Sequence, residues 1–370
     1  MSADFLILLD HAPAPDLADL CTSVKVEQSL SEPTRYTIRL VVELNDLGEY
    51  DPLTDIRLRP GAELAILVTD GQADACLVSG PIDRHQVHIE TGGPGSWLEI
   101  SGGDRRVQMA RAHQTKAWPG FDSDIVTTIL ASHALRPNVA KTLYLHSADN
   151  HTQNQCGSDL DFLNRLARRN GFQFWISYDV VGFGVRGVGN FKPSPPRPDV
   201  PAVPPVIDPF GSELEINIGD RSGQTMLSID IDADFDRPIL STGLRVAESL
   251  NAVVPGGAKS PVTLPLGVQP LASFTSSVPR EVSLATAGDA TELTARAKAA
   301  LSEAEWFVQA RVHTTKFALA ERIVQPHMLV PIRGLGRRYS GQYFVTAVTH
   351  TLDMSSHVMD VTLARNALGA

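Results

Sequence analysis

Twice in 370 residues the chain writes the same strand grammar. The segment PGAELAILVTDGQADACLVSGPIDRHQ begins at Pro60 and closes on SWLEISGGD, which ends at Asp104. The segment QPHMLVPIRGLGRRYSGQYFVTAVTHT begins at Gln325 and closes on VMDVTLARN, which ends at Asn366. Each is a Pro-led strand, a Gly-containing turn, a strand that runs long, an irregular connection and a final alternating strand. Period-two alternation broken by Gly and Asp-Gly demands antiparallel hairpins, and self-similarity at this scale points to two copies of one β unit.

The rest of the first half fits that expectation. Residues 3–9, 22–43, 62–70, 74–90 and 96–101 are strand-like runs, with a hairpin at Asp70-Gly71. Residues 113–190 differ and read as an α+β insert. Ser123 is placed to cap a short helix, DIVTTILASHAL. QCGSDLDFLNRLARRNGFQFWISYD then predicts a sharply bounded helix and a strand. Ser158 caps its start and Asp161 sits at the capping-box position. Phe162, Leu163, Leu166 and Ala167 form its apolar side. Arg168 and Arg169 suit its carbonyl end, and Gly171 stops it. Phe172, Phe174 and Ile176 alternate on one face of the strand, with Trp175 on the other.

Eight prolines between Phe191 and Gly211 exclude helix and central strand, so 191–211 reads as an extended linker. Strands resume at Ser212. The stretch 251–285 reads as an inserted loop, and DATELTARAKAALSEAEW predicts a helix over 289–306 capped by Asp289. The expected organisation is therefore a first β-barrel domain over 1–112, the insert over 113–190, the linker over 191–211 and a second barrel over 212–370. The fold class is mainly β with an α+β insert.

The formal net charge of -10 argues against a nucleic-acid or anionic-membrane surface. Cys21, Cys76 and Cys156 are widely spaced and odd in number, which implies half-buried thiols in a reducing compartment and no disulfide framework. The FLILL run is too short for a signal peptide or membrane span.

Motifs for chemistry are weak. GFGVRG at Gly182–Gly187 satisfies a dinucleotide pattern literally, but prolines follow where a helix must begin, so a Gly-rich hairpin is the reading. Gly334 and Gly336 read as a turn. Asp230, Asp232, Asp234 and Asp236 alternate with Ile229, Ile231, Ala233 and Phe235; a calcium loop needs Gly at its sixth position and finds Phe235. This is a strand with an apolar side and an acidic side; the acidic side reads as a solvated face, and the sharper reading is that it lines a channel or meets a basic partner. Histidines show no zinc spacing, and His350 reads as a core or edge residue. Of Arg165, Arg168 and Arg169, the last two stand where a helix C-terminus wants cations, a reading preferred to anion recognition. No catalytic, cofactor or metal residues are assigned.

QCGSDLDFLNRLARRNGFQFWI resembles the Q-x-x-x-S-D-x-x-F-L-x-R-L-A segment of the phage late control protein D family, a tail-hub group related to the base of type VI secretion spikes and of contractile injection systems. The shared residues include Ser158, Asp159, Phe162, Leu163, Arg165, Leu166 and Gly171. FDSDIVTTILASHAL resembles the preceding family helix. The closing run resembles the family's through Tyr339, Gly341, Tyr343, His350, Arg365 and Asn366. The resemblance implies a non-enzymatic baseplate hub holding two barrels per chain. It implies a homotrimer forming a pseudo-sixfold ring between a hexameric inner tube protein and a trimeric spike protein, beside other baseplate components. No cofactor, membrane insertion or sequence-specific nucleic-acid binding is implied. The expected location is the cytoplasm during assembly, then a phage tail or injection particle. The alternative is a tail-associated protein that binds or hydrolyses peptidoglycan or polysaccharide.

Overall fold

The computed structural model describes residues 5–46, 48–71, 73–93, 95–146, 153–182, 184–195, 213–216, 223–247, 252–261, 263–274, 280–286 and 290–369. The first six main strands are β1 (Phe5–Leu9), β2 (Cys21–Ser29), β3 (Arg35–Val41), β4 (Glu63–Asp70), β5 (Ala73–His88) and β6 (Trp97–Gly103). Next come α1 (Asp122–Ser132), β7 (Gln153–Ser158), α2 (Asp159–Asn170), β8 (Gln173–Val181) and β9 (Gly184–Lys192). They are followed by β10 (Ser228–Ala233), β11 (Leu240–Ala247), β12 (Ala252–Ala258), β13 (Glu281–Thr286) and α3 (Ala290–Ala304). The last four are β14 (Val308–Thr315), β15 (Leu329–Arg333), β16 (Gly341–Leu352) and β17 (His357–Arg365).

Most strands join one thirteen-stranded sheet, ordered β10-β14-β17-β16-β2-β3-β6-β5-β4-β1 and ending on the two-residue strand Ala12–Pro13, with β15 pairing β16 off that path and the two-residue strand Leu214–Glu215 pairing β15. The order contains the same five-strand unit twice. β2, β3, β6, β5 and β4 form the first copy, and β10, β14, β17, β16 and β15 form the second, all antiparallel. The copies meet where β16 pairs β2, with His350 opposite Val26. Alternation supplies the core: Val24 and Val26 of β2, Tyr36 and Ile38 of β3, and Val348 and Leu352 of β16 are buried. One apolar cluster runs through both copies. A register shift in β5–β6 between Ile82 and Arg84 is matched in β16–β17 between Val345 and Ala347.

The insert has its own core, in which Ile125, Val126 and Leu130 of α1 meet Phe162, Leu163 and Leu166 of α2 and Phe174 of β8. Two contacts brace it against the repeats. The Tyr178 hydroxyl donates to the Ser79 carbonyl at 3.0 Å, and Trp175 stacks on His327 at 3.7 Å. The Gly-rich stretch forms the hairpin end of β8–β9, with Val181 opposite Gly184; Phe183 lies outside the described residues.

Several expectations need correcting. The run 22–43 is two strands, because Pro33 and its neighbours turn the chain between β2 and β3. α1 begins at Asp122, so Ser123 lies inside it; its backbone N–H donates to the Thr142 hydroxyl, and Phe121 holds the cap position without a side-chain bond. The stretch 251–285 contains β12, a two-residue strand at Gln269–Pro270 and most of β13. β12 carries Pro255, Gly256 and Gly257, which read as loop, but among the described residues it pairs only with β11, and an edge strand tolerates proline. Its Gly256 and the opposing Gly243 leave room for Leu293 of α3, where any Cβ would come within 2.7 Å of that side chain. Cys156 is exposed, whereas burial pushes the Cys21 thiol up to about 12. Gly334 and Gly336 adopt positive φ, and a helical turn, Gly336–Tyr339, follows them. The linker from 196 onward and the Asp289 cap lie outside the described residues.

Candidate functional site

The family-motif residues are framework. The Ser158 hydroxyl accepts from the Asp161 backbone at 3.1 Å and donates to its carboxylate at 2.6 Å, a closed N-cap, while Gly171 takes the left-handed conformation at φ 65 that ends α2. Asp159 is buried and accepts from Gln155 at 2.6 Å and pairs His133 at 2.7 Å. Phe162, Leu163 and Leu166 fill the insert core. Arg165 lies 5.1 Å over Phe162 and donates to the Asn154 carbonyl at 2.5 Å.

The closing motif pins the C-terminal strand. Arg365 is fully buried and donates to four carbonyls: Ser340 at 2.8 Å, Tyr339 at 3.3 Å, Leu266 at 2.9 Å and Gly369 at 2.6 Å. Gly341 has no side chain because a Cβ there would stand 2.5 Å from that guanidinium. The Tyr343 hydroxyl donates to the Tyr339 carbonyl at 2.8 Å. Asn366 accepts from Leu266 at 2.8 Å and donates to the Leu264 carbonyl at 3.0 Å. Nearby, burial pushes the Glu305 carboxyl up to about 8, against weaker opposing bonds from Thr263 and Asn366.

His350 is buried at the join between the copies. Gln28 donates to the Leu77 carbonyl at 2.8 Å, so its oxygen accepts from His350 Nε2 at 3.2 Å. Nδ1 of His350 is then left as an acceptor, for His357 Nε2 at 2.9 Å. Burial, then the neighbouring His357, holds the His350 pKa well below the usual histidine range.

The four aspartates divide. Asp230 and Asp232 project from β10 and are exposed, and neither pairs with a cation among the described residues. The strand ends at Ala233, so Asp234 and Asp236 lie past it and pair Arg237 at 3.2 Å and Arg280 at 3.0 Å. Phe235, expected on the apolar side, remains 37% exposed while touching Phe274 and Phe307. These pairs sit in a groove of 1270 Å³ between α2, β13 and α3, which also holds Arg165, Arg168, Arg169 and Arg296. Arg169 is anchored on buried Asp122, and Arg168 reaches Glu303 only at 3.8 Å with both groups exposed. Burial pushes the Asp122 carboxyl up, but His146, Arg169 and Asn170 outweigh it and hold it below the ordinary value.

Sequence reading missed two unfilled strand edges. β5 spends Ala73–Pro81 on β4, and its remaining length, Arg84–His88, pairs β6 alone. Residues Asp83–His88 are all exposed, Val87 at 47%. β10 pairs only β14 and ends the sheet. Both statements hold among the described residues. The available signal was the length of β5, which is twice that of β4.

A family model for the Alg8 N-terminal domain matches residues 20–184. No curated protein matches the sequence. Solved structures match along the whole chain. A tail protein from Neisseria meningitidis has a TM-score of 0.64 at 12% identity, covering 100% of this chain and 98% of its own. A 43 kDa prophage MuSo2 tail protein from Shewanella oneidensis has a TM-score of 0.63 at 11% identity, covering 99% and 100%. An E. coli component of the type VI secretion system, itself structurally similar to T4 bacteriophage tail proteins, has a TM-score of 0.54 at 13% identity, covering 93% and 73%. The chain therefore has the fold of phage tail proteins.

Proposed function

We propose that the chain is a structural baseplate hub of a contractile phage tail or injection system, of the late control protein D group. The observation that carries this reading is the duplicated five-strand unit, joined edge to edge within one chain. Three such chains present six near-equivalent units around one axis. A ring of that kind matches a hexameric inner tube on one side and a trimeric spike on the other, which three single-unit chains cannot do. On this reading the repeats are the two barrel domains, bounded by 1–112 and 212–370, and the insert with its sharply capped α2 braces them. Ser158, Gly171, Gly341, Arg365 and Asn366 are framework residues, and the chain performs no catalysis of its own.

Electron microscopy of the purified chain, alone and with its neighbouring spike chain, tests the reading. Threefold rings with a sixfold outline are expected. Monomers in both samples would remove the adaptor role and turn attention to wall binding and hydrolysis.

A further inference from the structure

The three-stranded sheet β12-β11-β13 has two outer edges of different character. β12 is blunted by Pro255, which offers no donor. β13 has the sequence EVSLAT, without proline, and pairs β11 in parallel from Leu240↔Glu281 to Arg245↔Thr286. Among the described residues it pairs nothing on its other side. Half of its N–H and C=O groups therefore point away from the sheet, the template that an added strand uses. Its one charged residue does not guard that edge, because the Glu281 carboxylate accepts from the Thr242 hydroxyl of β11. Val282 and Leu284 are half-buried. Leu284 stands opposite Gly243, whose missing side chain leaves room for Leu293, so this face of β13 lies toward α3.

β13 borders the 1270 Å³ groove whose opposite wall is α2. That volume exceeds the range of about 300–1,000 Å³ typical of small-molecule pockets. Six arginines and five carboxylates line the groove, a surplus of cations in a chain whose formal net charge is -10. Three of the arginines are held by carboxylates: Arg169 by Asp122, Arg237 by Asp234 and Arg280 by Asp236. Arg168 has the weakest hold, since its side chain is 80% exposed and Glu303, 65% exposed, stands 3.8 Å away. An exposed pair at that distance yields readily to a better acceptor. We infer that the groove receives an extended segment of a partner chain, added as a strand to the outer edge of β13. Apolar side chains at every second position of the segment cover Val282, Leu284 and Ala300. Acidic side chains at the intervening positions meet Arg168 across the groove. A free strand edge selects an extended partner over a helical one, and arginines already spoken for select an acidic chain over a small anion. The inference goes beyond the hub reading and stands whether or not the chain forms rings.

The probe is a synthetic peptide of alternating valine and glutamate, about eight residues long, titrated onto the full chain. A dissociation constant below about 1 mM is expected, together with slowed amide exchange within Glu281–Thr286. N-methylation of every second peptide residue removes the donors of one strand edge. One methylation frame is expected to weaken binding at least about tenfold and the other to leave it nearly unchanged, because an added strand uses one edge only. Arg168→Glu, at an exposed position where substitution leaves the fold intact, is expected to weaken binding at least about tenfold. The same variant is expected to favour a peptide of alternating valine and lysine. No binding up to about 1 mM, equal binding in both methylation frames, or binding untouched by Arg168→Glu would each overturn the inference. Protection of Arg84–His88 or Ser228–Ala233 in place of Glu281–Thr286 would assign the peptide to another open edge and overturn it as well.

Discussion

The first and second five-strand copies share a strand order and a register shift, yet they bury their ends differently. At the close of β6 the first copy buries Asp104, which accepts from the Thr34 backbone at 3.1 Å and is neutralised by Arg106 at 2.8 Å. At the equivalent position the second copy buries Arg365, held by four carbonyls. The long strands also differ: the late half of β16 lies between β17 and β2, whereas among the described residues the late half of β5 pairs β6 alone. The two copies keep one backbone ladder, while the side chains that close them differ.

The largest expected effect comes from the buried cation. Arg365→Ala would leave four buried carbonyls short of donors and cost about 3–5 kcal/mol, since stranded polar groups bear their full desolvation; chemical denaturation measures it. Smaller and opposite in sign is Glu305→Gln. The folded carboxyl, near 8 instead of the ordinary 4.5, keeps its proton while the unfolded one loses it, so stability drains as pH rises from 4.5 to 8. The neutral amide avoids that loss, with an expected gain of about 1–3 kcal/mol at pH 7 that fades toward pH 4.5. Melting curves at the two pH values separate this from a simple packing gain.

The internal join should itself be acid-sensitive. Folded His350 titrates below its unfolded value of 6.5, so the unfolded chain binds more protons beneath that pH. Its contribution is complete above 6.5 and is lost on acidification by up to about 1.4 kcal/mol per unit. His350→Gln, which keeps one donor and one acceptor, should flatten the slope between pH 7 and 5.5. Val87, its counterpart in β5, carries no titrating group. Val87→Asp should therefore change monomer stability by less than about 0.5 kcal/mol, as at other exposed positions, while weakening self-association seen by sedimentation.

Much of this was legible in residues. The ends of α2 were readable because Ser158 and Gly171 act locally, and the repeat was readable because alternation and turn glycines are local too. β12 was hidden by Pro255-Gly256-Gly257, whose loop-like composition suits an edge strand crossed closely by Leu293. The joining of β16 to β2 links residues more than three hundred apart, and no local pattern reports such a pairing. Arg365 stood out in the closing motif, but its carbonyl cage is assembled from three separate segments, Tyr339-Ser340, Leu266 and Gly369. The acidic alternation at Asp230 was visible, and its lack of a partner was visible only in the sheet order.

Amide hydrogen exchange compares the closed and open edges most directly. The account predicts that Ala347–Leu352 exchange slowly at every protein concentration, whereas Arg84–His88 and Ile229–Ile231 exchange quickly when dilute and slow together as chains associate. Equal and concentration-independent protection of both sets, or association that leaves Arg84–His88 fast, would contradict it.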